Sequence, residues 1–418
     1  MSSLPNVDTR AINQLPWEVI RTIIRFLPVS DLANIALVCR YSRSVVLPEL
    51  YHSIFLDAAP GERLDQLHRH LGPSASPLKY CRRFYVIIGG EANTYGRNLF
   101  KLKNLLVSGL RNVEYLTLHQ GSSRRDLNFW KQTKAAVRHM QALRSLRLVS
   151  DEPFFHVSDI MRALRKIHAP LCTLAIDGVK TPPADSKKYL GRNRTAPFTS
   201  LRLERCFERP EVVQRLINWP KALVGFRFVT CDPDALGLPK LGKWLSIHRQ
   251  TLEEIDIRSV ALRGNGHLFN LSTFVALKTL TLSQAEIHCS NGRITDDDVG
   301  LLLAPNLNTF RLDYSLDGRH LEFSSDFGDP EEQFIRKLAQ AAILRKSGLR
   351  TIEIVFDPEL SRSQAEDRYP WDRIDRLDEE VQAHGIRVVY PRPALSREEW
   401  FRALAERTGR KPRKSRRA

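Results

Sequence analysis

Apolar residues recur at helical spacing in three short runs between Ile12 and Phe55. Pro16 suits a first helical turn, where a backbone N–H has no partner to lose. Val19, Ile20, Ile23, Ile24 and Leu27 then fall on one face. Pro28 stops that run, and Ser30 or Asp31 is placed to cap a second helix carrying Leu32, Ile35, Ala36, Val38 and Cys39. A third helix is expected through Ser44, Val45 and Leu47, ended by Pro48. So short a unit buries little surface alone, and its many aliphatic side chains call for completion by the rest of the chain or by a partner.

From residue 78 a second pattern takes over: apolar, two others, apolar, one other, apolar. It occurs as Cys81-Phe84-Val86, Val113-Leu116-Leu118, Leu143-Leu146-Leu148, Leu171-Leu174-Ile176 and Phe198-Leu201-Leu203. It continues as Leu223-Phe226-Phe228, Leu252-Ile255-Ile257, Leu277-Leu280-Leu282, Leu307-Phe310-Leu312 and Leu349-Ile352-Ile354. Successive starts lie 32, 30, 28, 27, 25, 29, 25, 30 and 42 residues apart. One match means little, but a near-even series predicts a short strand per repeat with room for a helix between. Pro210 to Trp219 supplies one such helix, with Val212, Val213, Leu216 and Ile217 on one side. Another is expected after an Asp329-Pro330 cap, burying Phe334, Leu338, Ala341 and Ala342 and closed by Gly348. A third covers Trp371 to Gly385 through Ile374, Leu377 and Val381, and leads to a last strand at Ile386 to Tyr390. Exposed loops are expected over 181–197, 284–298 and 358–370.

The first stretch resembles an F-box. The match is carried by Leu15-Pro16-x-Glu18-x-Ile20, Leu27-Pro28-x-x-Asp31-Leu32, Leu37-Val38-Cys39-Arg40 and Pro48-x-Leu50-Tyr51. The repeat series is similar to irregular leucine-rich repeats, whose units stack into a curved solenoid with one continuous core. The usual Asn or Cys after the strand survives only as Cys206 and Cys231. Together the resemblances imply an α/β repeat protein: a three-helix F-box followed by an irregular leucine-rich-repeat-like horseshoe. The expected layout is a flexible N-terminus over 1–10, the F-box over 11–56 and a linker over 57–77. The solenoid follows over 78–391, then a C-terminal helix and disordered basic tail over 392–418.

Composition narrows the chemistry. The chain has 418 residues, 42% of them hydrophobic, enough for one large or two ordinary domains. No leader-like apolar run follows the polar first ten residues, and no stretch reaches the roughly 20 apolar residues of a membrane span. A soluble intracellular protein is expected. The cysteines at 39, 81, 172, 206, 231 and 289 form no Cys-x-x-Cys pair and are expected to be buried reduced thiols. No histidine pair has metal-ligand spacing, no complete phosphate-binding glycine loop occurs, and no nucleophile elbow is present. No catalytic, cofactor or metal site is expected.

The net charge of +17 raises a nucleic-acid partner. In a repeat of this kind the residues between strand core positions face the open side of the sheet. Across nine repeats the three outward columns contribute −1, +2 and −2, a sum of −1, which does not suit a phosphate-neutralising groove. Part of the charge lies instead in the tail, where seven of the twelve residues from Arg407 to Ala418 are Lys or Arg. The tail reads as a nuclear-import signal, a non-specific contact with an acidic surface, or a solubilising segment. Cytoplasmic or nuclear residence follows.

The F-box resemblance implies docking on the Skp adaptor of an SCF ubiquitin ligase and, through it, on a cullin. Contacts, or the fold behind them, are expected from Leu15, Pro16, Ile20, Ile23, Ile24, Leu27, Leu32, Val38 and Leu50. The repeats would hold a protein substrate, with Arg147, Arg202 and Arg227 as candidates for an acidic or phosphorylated segment unless they pair with Asp177, Glu204 and Asp256. The chain would be a non-catalytic adaptor. A scaffold outside any ligase, or a nucleic-acid-associated protein acting through the tail, are the alternatives.

Overall fold

The computed structural model describes residues 15–57, 76–88, 110–121, 127–151, 154–180, 193–230, 238–258, 270–283, 295–314, 327–355, 369, 371–393 and 395–408. The expected flexible N-terminus lies outside them, as do most of the linker, most of each of the three loops, most of the basic tail, and Cys231 and Cys289. Of the loop residues described, Ala196 and Tyr369 are buried and not exposed. The chain forms two compact units, residues 1–153 with 159–171, and residues 154–158 with 172–418.

The first unit opens with α1 (Trp17–Arg25), α2 (Val29–Val38) and α3 (Arg40–Leu50). Ile20, Ile24, Leu32, Val45 and Val46 form their shared core, with Leu27, Ile35, Ala36 and Leu50 packed against it. Two expectations about helix ends are corrected. Pro28 itself is the N-cap of α2, without any side-chain cap from Ser30 or Asp31. Pro48 does not end the third helix, which runs on to Leu50. A proline in a last turn removes one hydrogen bond and leaves the turns before it intact.

Four parallel strands follow in this unit, β1 (Ser53–Asp57), β2 (Arg83–Ile88), β3 (Tyr115–Gln120) and β4 (Ser145–Ser150), paired in chain order. The repeat array therefore starts at Ser53, inside the segment assigned to the F-box, and not at residue 78. The described end of the expected linker, Ser76–Tyr80, is a 3-10 turn between β1 and β2. Phe129, Ala136 and Val137 of α4 (Leu127–His139) are buried.

The second unit holds β5 (Thr173–Val179), β6 (Ser200–Cys206), β7 (Gly225–Thr230), β8 (Glu254–Arg258), β9 (Thr279–Ser283), β10 (Thr309–Asp313), β11 (Thr351–Val355) and β12 (Arg387–Val389). These too are parallel and paired in order. All ten predicted strands are present, and every residue of the ten core triplets is 2% exposed or less. The sheet thus buries a continuous apolar run within each unit, as a solenoid-like α/β repeat requires.

One backbone device sets the register in both units. The carbonyl just before a strand accepts two successive N–H groups from the next repeat. His52 takes Arg82 and Arg83, Arg82 takes Glu114 and Tyr115, and Glu114 takes Arg144 and Ser145. The same fork recurs at Cys172, Thr199, Val224, Glu253, Lys278 and Asn308. Within each unit successive repeats are thereby locked together at the starts of their strands, so side chains there form columns; farther along, the β6–β7 register shifts after Leu203.

The connecting helices largely follow the sequence. Val212, Val213, Leu216 and Ile217 are buried on α6 (Pro210–Asn218), the helix after α5 (Val157–Ala163). Next comes α7 (Leu238–Leu245), and then α8 (Asp296–Leu301), which turns the end of the expected 284–298 loop into a helix capped reciprocally by Thr295 and Asp298. Gly328, not Asp329, caps α9 (Asp329–Leu344), and its N–H donates to Glu331 Oε2 at 2.9 Å. Phe334, Leu338 and Ala342 are buried there and Ala341 is half-buried. Lys346, at φ 49°, rather than Gly348 turns the chain away. Ile374, Leu377 and Val381 are buried on α10 (Asp372–Gln382), and Gly385 at φ 77° leads into β12. The C-terminal helix α11 (Arg397–Thr408) inserts Trp400 edge-on against Trp371, ring centroids 5.7 Å apart.

His248 is the buried titratable group between α7 and β8. Its Nδ1 accepts the Leu223 N–H at 3.3 Å and its Nε2 donates to the Ile217 carbonyl at 2.9 Å, which fixes the neutral ring. Burial holds its pKa below the ordinary imidazole value. The unfolded chain takes up a proton near pH 6.5 that the folded ring resists, so stability present above that pH is lost as pH falls through the folded value. Between about pH 7.5 and about pH 5.5 the wild type should lose more thermal stability than His248→Gln, measured by circular dichroism melts.

Candidate functional site

The three N-terminal helices divide their apolar residues between a core and a surface. On α1, Ile20 and Ile24 point inward at 9% and 5% exposure. Val19, Ile23 and Phe26 recur at i, i+4 and i+7 beside them and stay in water, Phe26 at 84%. Leu15 before the helix and Trp17 at its first position extend the exposed set, and Val29, Leu37, Val38 and Tyr41 add to it on α2 and α3. Nine of the fifteen exposed large hydrophobic residues among the described residues thus fall in the 27 residues from 15 to 41. Scattered exposed apolar residues need no explanation, but a concentration of this kind marks an interaction surface.

Polar contacts hold this surface in place. Arg21 and Arg25 of α1 both reach Glu49 Oε1 of α3, at 3.4 and 3.2 Å. Cys39, between α2 and α3, caps α3 by accepting the Ser42 N–H at 3.4 Å, and the bonds from Ser42 draw its thiol below the usual range. Cys39 and Cys172 are exposed, while Cys81 and Cys206 are buried. The expectation of buried thiols therefore fails at two of the four described positions. At Cys39 the sulfur is spent on a helix cap at the surface.

The nine residues named from the sequence for adaptor contact separate by burial. Ile20, Ile24 and Leu32 are interior, Leu27 and Leu50 lie against the core, and Leu15, Pro16, Ile23 and Val38 are exposed. Trp17, Phe26, Val29, Leu37 and Tyr41 were not among them, although their alternation with the buried set was readable. Leu32→Ala should destabilise the chain by about 2–5 kcal/mol through loss of core packing, whereas Leu37→Ala should change stability by less than about 0.5 kcal/mol. Denaturant melts of the two variants check this difference.

The three arginine candidates are divided between the two units. Arg147 is exposed on β4 of the first unit. Arg202 and Arg227 are register neighbours on β6 and β7 of the second. Arg227 bridges Glu204 Oε1 and Asp256 Oδ2, both at 3.3 Å. From there the charges continue in alternation. Arg258 takes Asp256 through two nitrogens, at 2.9 and 3.2 Å, and reaches Asp313 Oδ2 at 3.0 Å across β9, where Ser283 leaves room. Arg311 lies 3.8 Å from both Asp313 and Glu353. Asp177 is taken by Arg205, which sits at φ 46° where the β6–β7 register shifts. Arg227 is thus committed to carboxylates of its own sheet, and Arg202 alone of the second-unit pair has no ion pair among the described residues.

Among the described residues no group of His, Cys, Asp or Glu is arranged to hold a metal ion, and no helix is long and apolar enough to cross a membrane.

A three-helix N-terminal module leading directly into parallel α/β repeats is the class this architecture defines. Residues 12–57 match the F-box-like family, so the chain carries an F-box-like domain there. Among solved structures the chain is similar to one described as the Rad7 and Elc1 complex in yeast, at 13% sequence identity and a TM-score of 0.42, covering 95% of this chain and 97% of that one. No match is found among curated proteins.

Proposed function

We propose that the chain is the substrate-recognition subunit of an SCF-type ubiquitin ligase. Its F-box-like domain docks a Skp-type adaptor and its repeats hold a protein substrate. The observation that carries this reading is the exposed apolar surface of α1 to α3 on a domain that matches the F-box-like family. Fully burying a Leu, Ile or Phe side chain contributes about 1.5–3 kcal/mol, so a handful of these residues suffices for a stable complex. The chain itself catalyses nothing in this account. It raises the effective concentration of a target lysine beside the ubiquitin carrier.

Co-expression of the full chain with a Skp-type adaptor and its cullin, followed by capture on this chain, tests the proposal. Recovery of both subunits supports it. Recovery of adaptor without cullin would make the chain a scaffold outside any ligase, and recovery of neither would remove the adaptor reading altogether.

A further inference from the structure

We propose that the open sheet face of the first unit, on β1 to β3, is a docking surface for a protein segment that carries acidic residues beside aromatic or aliphatic ones. This rests on the reading of the repeats as a substrate-holding face, and it assigns to that face a place and a chemistry. In β2 to β4 the even-numbered residues are buried and the odd-numbered ones stand on the other side. The register aligns Ser53, Arg83, Tyr115 and Ser145 in one row, and Phe55, Tyr85, Thr117 and Arg147 in the next.

Aromatic surface dominates the β1 side of these rows. Phe55, 64% exposed at the start of the array, stacks on Tyr85 with ring centroids 4.7 Å apart and planes 14° from parallel. Tyr115, 47% exposed, lies under the Arg83 guanidinium at 5.3 Å. The Tyr85 hydroxyl is tied to His119 Nδ1 at 3.0 Å, and His119 Nε2 to Asp151 Oδ2 at 2.9 Å, so the middle of the platform is fixed before any ligand arrives. Rigid aromatic side chains lose little entropy on binding and are the usual anchors of an interface.

The charge on this face selects the partner. Arg83 is exposed, and among the described residues it has no carboxylate partner. Arg147 stands exposed at the β4 end of the second row. Asp151, the carboxylate at the rim, is engaged by His119. Arg83 therefore leaves a positive charge beside exposed aromatic rings, and complementarity asks for acidic and apolar groups together. A single unpaired arginine is not the file of cations that tracks a nucleic-acid backbone.

Selection of a displayed library of random peptides on the full-length chain tests this. Enriched sequences should pair Asp or Glu with an aromatic or aliphatic residue, and their binding should fall about tenfold or more in both Phe55→Ala and Arg83→Glu. Both substitutions are at exposed positions, so melting curves and adaptor capture should be unchanged. The proposal is overturned if no sequence enriches, if enriched sequences lack acids, or if their binding survives both substitutions. Binding of a labelled oligothymidylate, lost in the same two variants, would overturn it in favour of single-stranded nucleic acid. Failure of the wild type to capture the adaptor, with peptide selection intact, would sink the ligase reading and leave this one standing.

Discussion

Glutamate at both Ile23 and Leu37 is expected to reduce adaptor capture by on the order of a hundredfold or more, with a melting temperature within about 2 °C of the wild type. The two residues are 48% and 85% exposed, so neither supports the core. A buried anchor is worth about 2 kcal/mol, and a carboxylate in its place adds a desolvation cost on the bound side only. The paired control is Val46→Ala, fully buried among α1 to α3, which should lower stability by about 0.5–3 kcal/mol. Surface plasmon resonance against immobilised adaptor, with melts of the same preparations, separates the two effects.

Asp313→Ala should cost about 3–5 kcal/mol of stability. The carboxylate is 1% exposed and accepts Arg258 at 3.0 Å with Arg311 beside it. Its removal takes one carboxylate from the Arg258 guanidinium, whose side chain is 13% exposed and which also holds Asp256. The Arg202→Ala change should alter stability by less than about 0.5 kcal/mol, since Arg202 is exposed and makes no ion pair among the described residues. Urea denaturation of both variants measures the contrast. An Asp313→Ala chain as stable as the wild type would mean that the alternating charges are not coupled in solution.

The strand array was legible because its signal repeats: Leu174, Leu201, Phe226 and Ile255 recur at one position of successive strands, and every such position is buried. The F-box-like helices were legible from their ordered anchors. What escaped reading has local physical causes. β1 is five residues long and follows α3 with only Tyr51 and His52 between, so Ile54 and Leu56 were absorbed into the helical unit and Phe55 was missed as a surface residue. Ser30 and Asp31 are good caps by type, yet Pro28 already sets the extended backbone that opens α2. The pairing of Arg227 with Glu204 and Asp256 depends on which strands are neighbours and in what register, which composition does not encode. The sequence columns sum to near neutrality, but only the structure shows that Arg227, Arg258 and Arg311 are cancelled by carboxylates while Arg83 and Arg202 make no ion pair among the described residues.

Amide hydrogen exchange of the full chain with and without the Skp-type adaptor tests the central claim most directly. The account predicts a one-to-one complex in which exchange slows across α1 to α3, at Trp17–Arg25, Val29–Val38 and Arg40–Leu50, while β5 to β12 exchange as in the free chain. A stable complex whose protection falls on the repeats, with α1 to α3 unchanged, would contradict it, as would the absence of any complex.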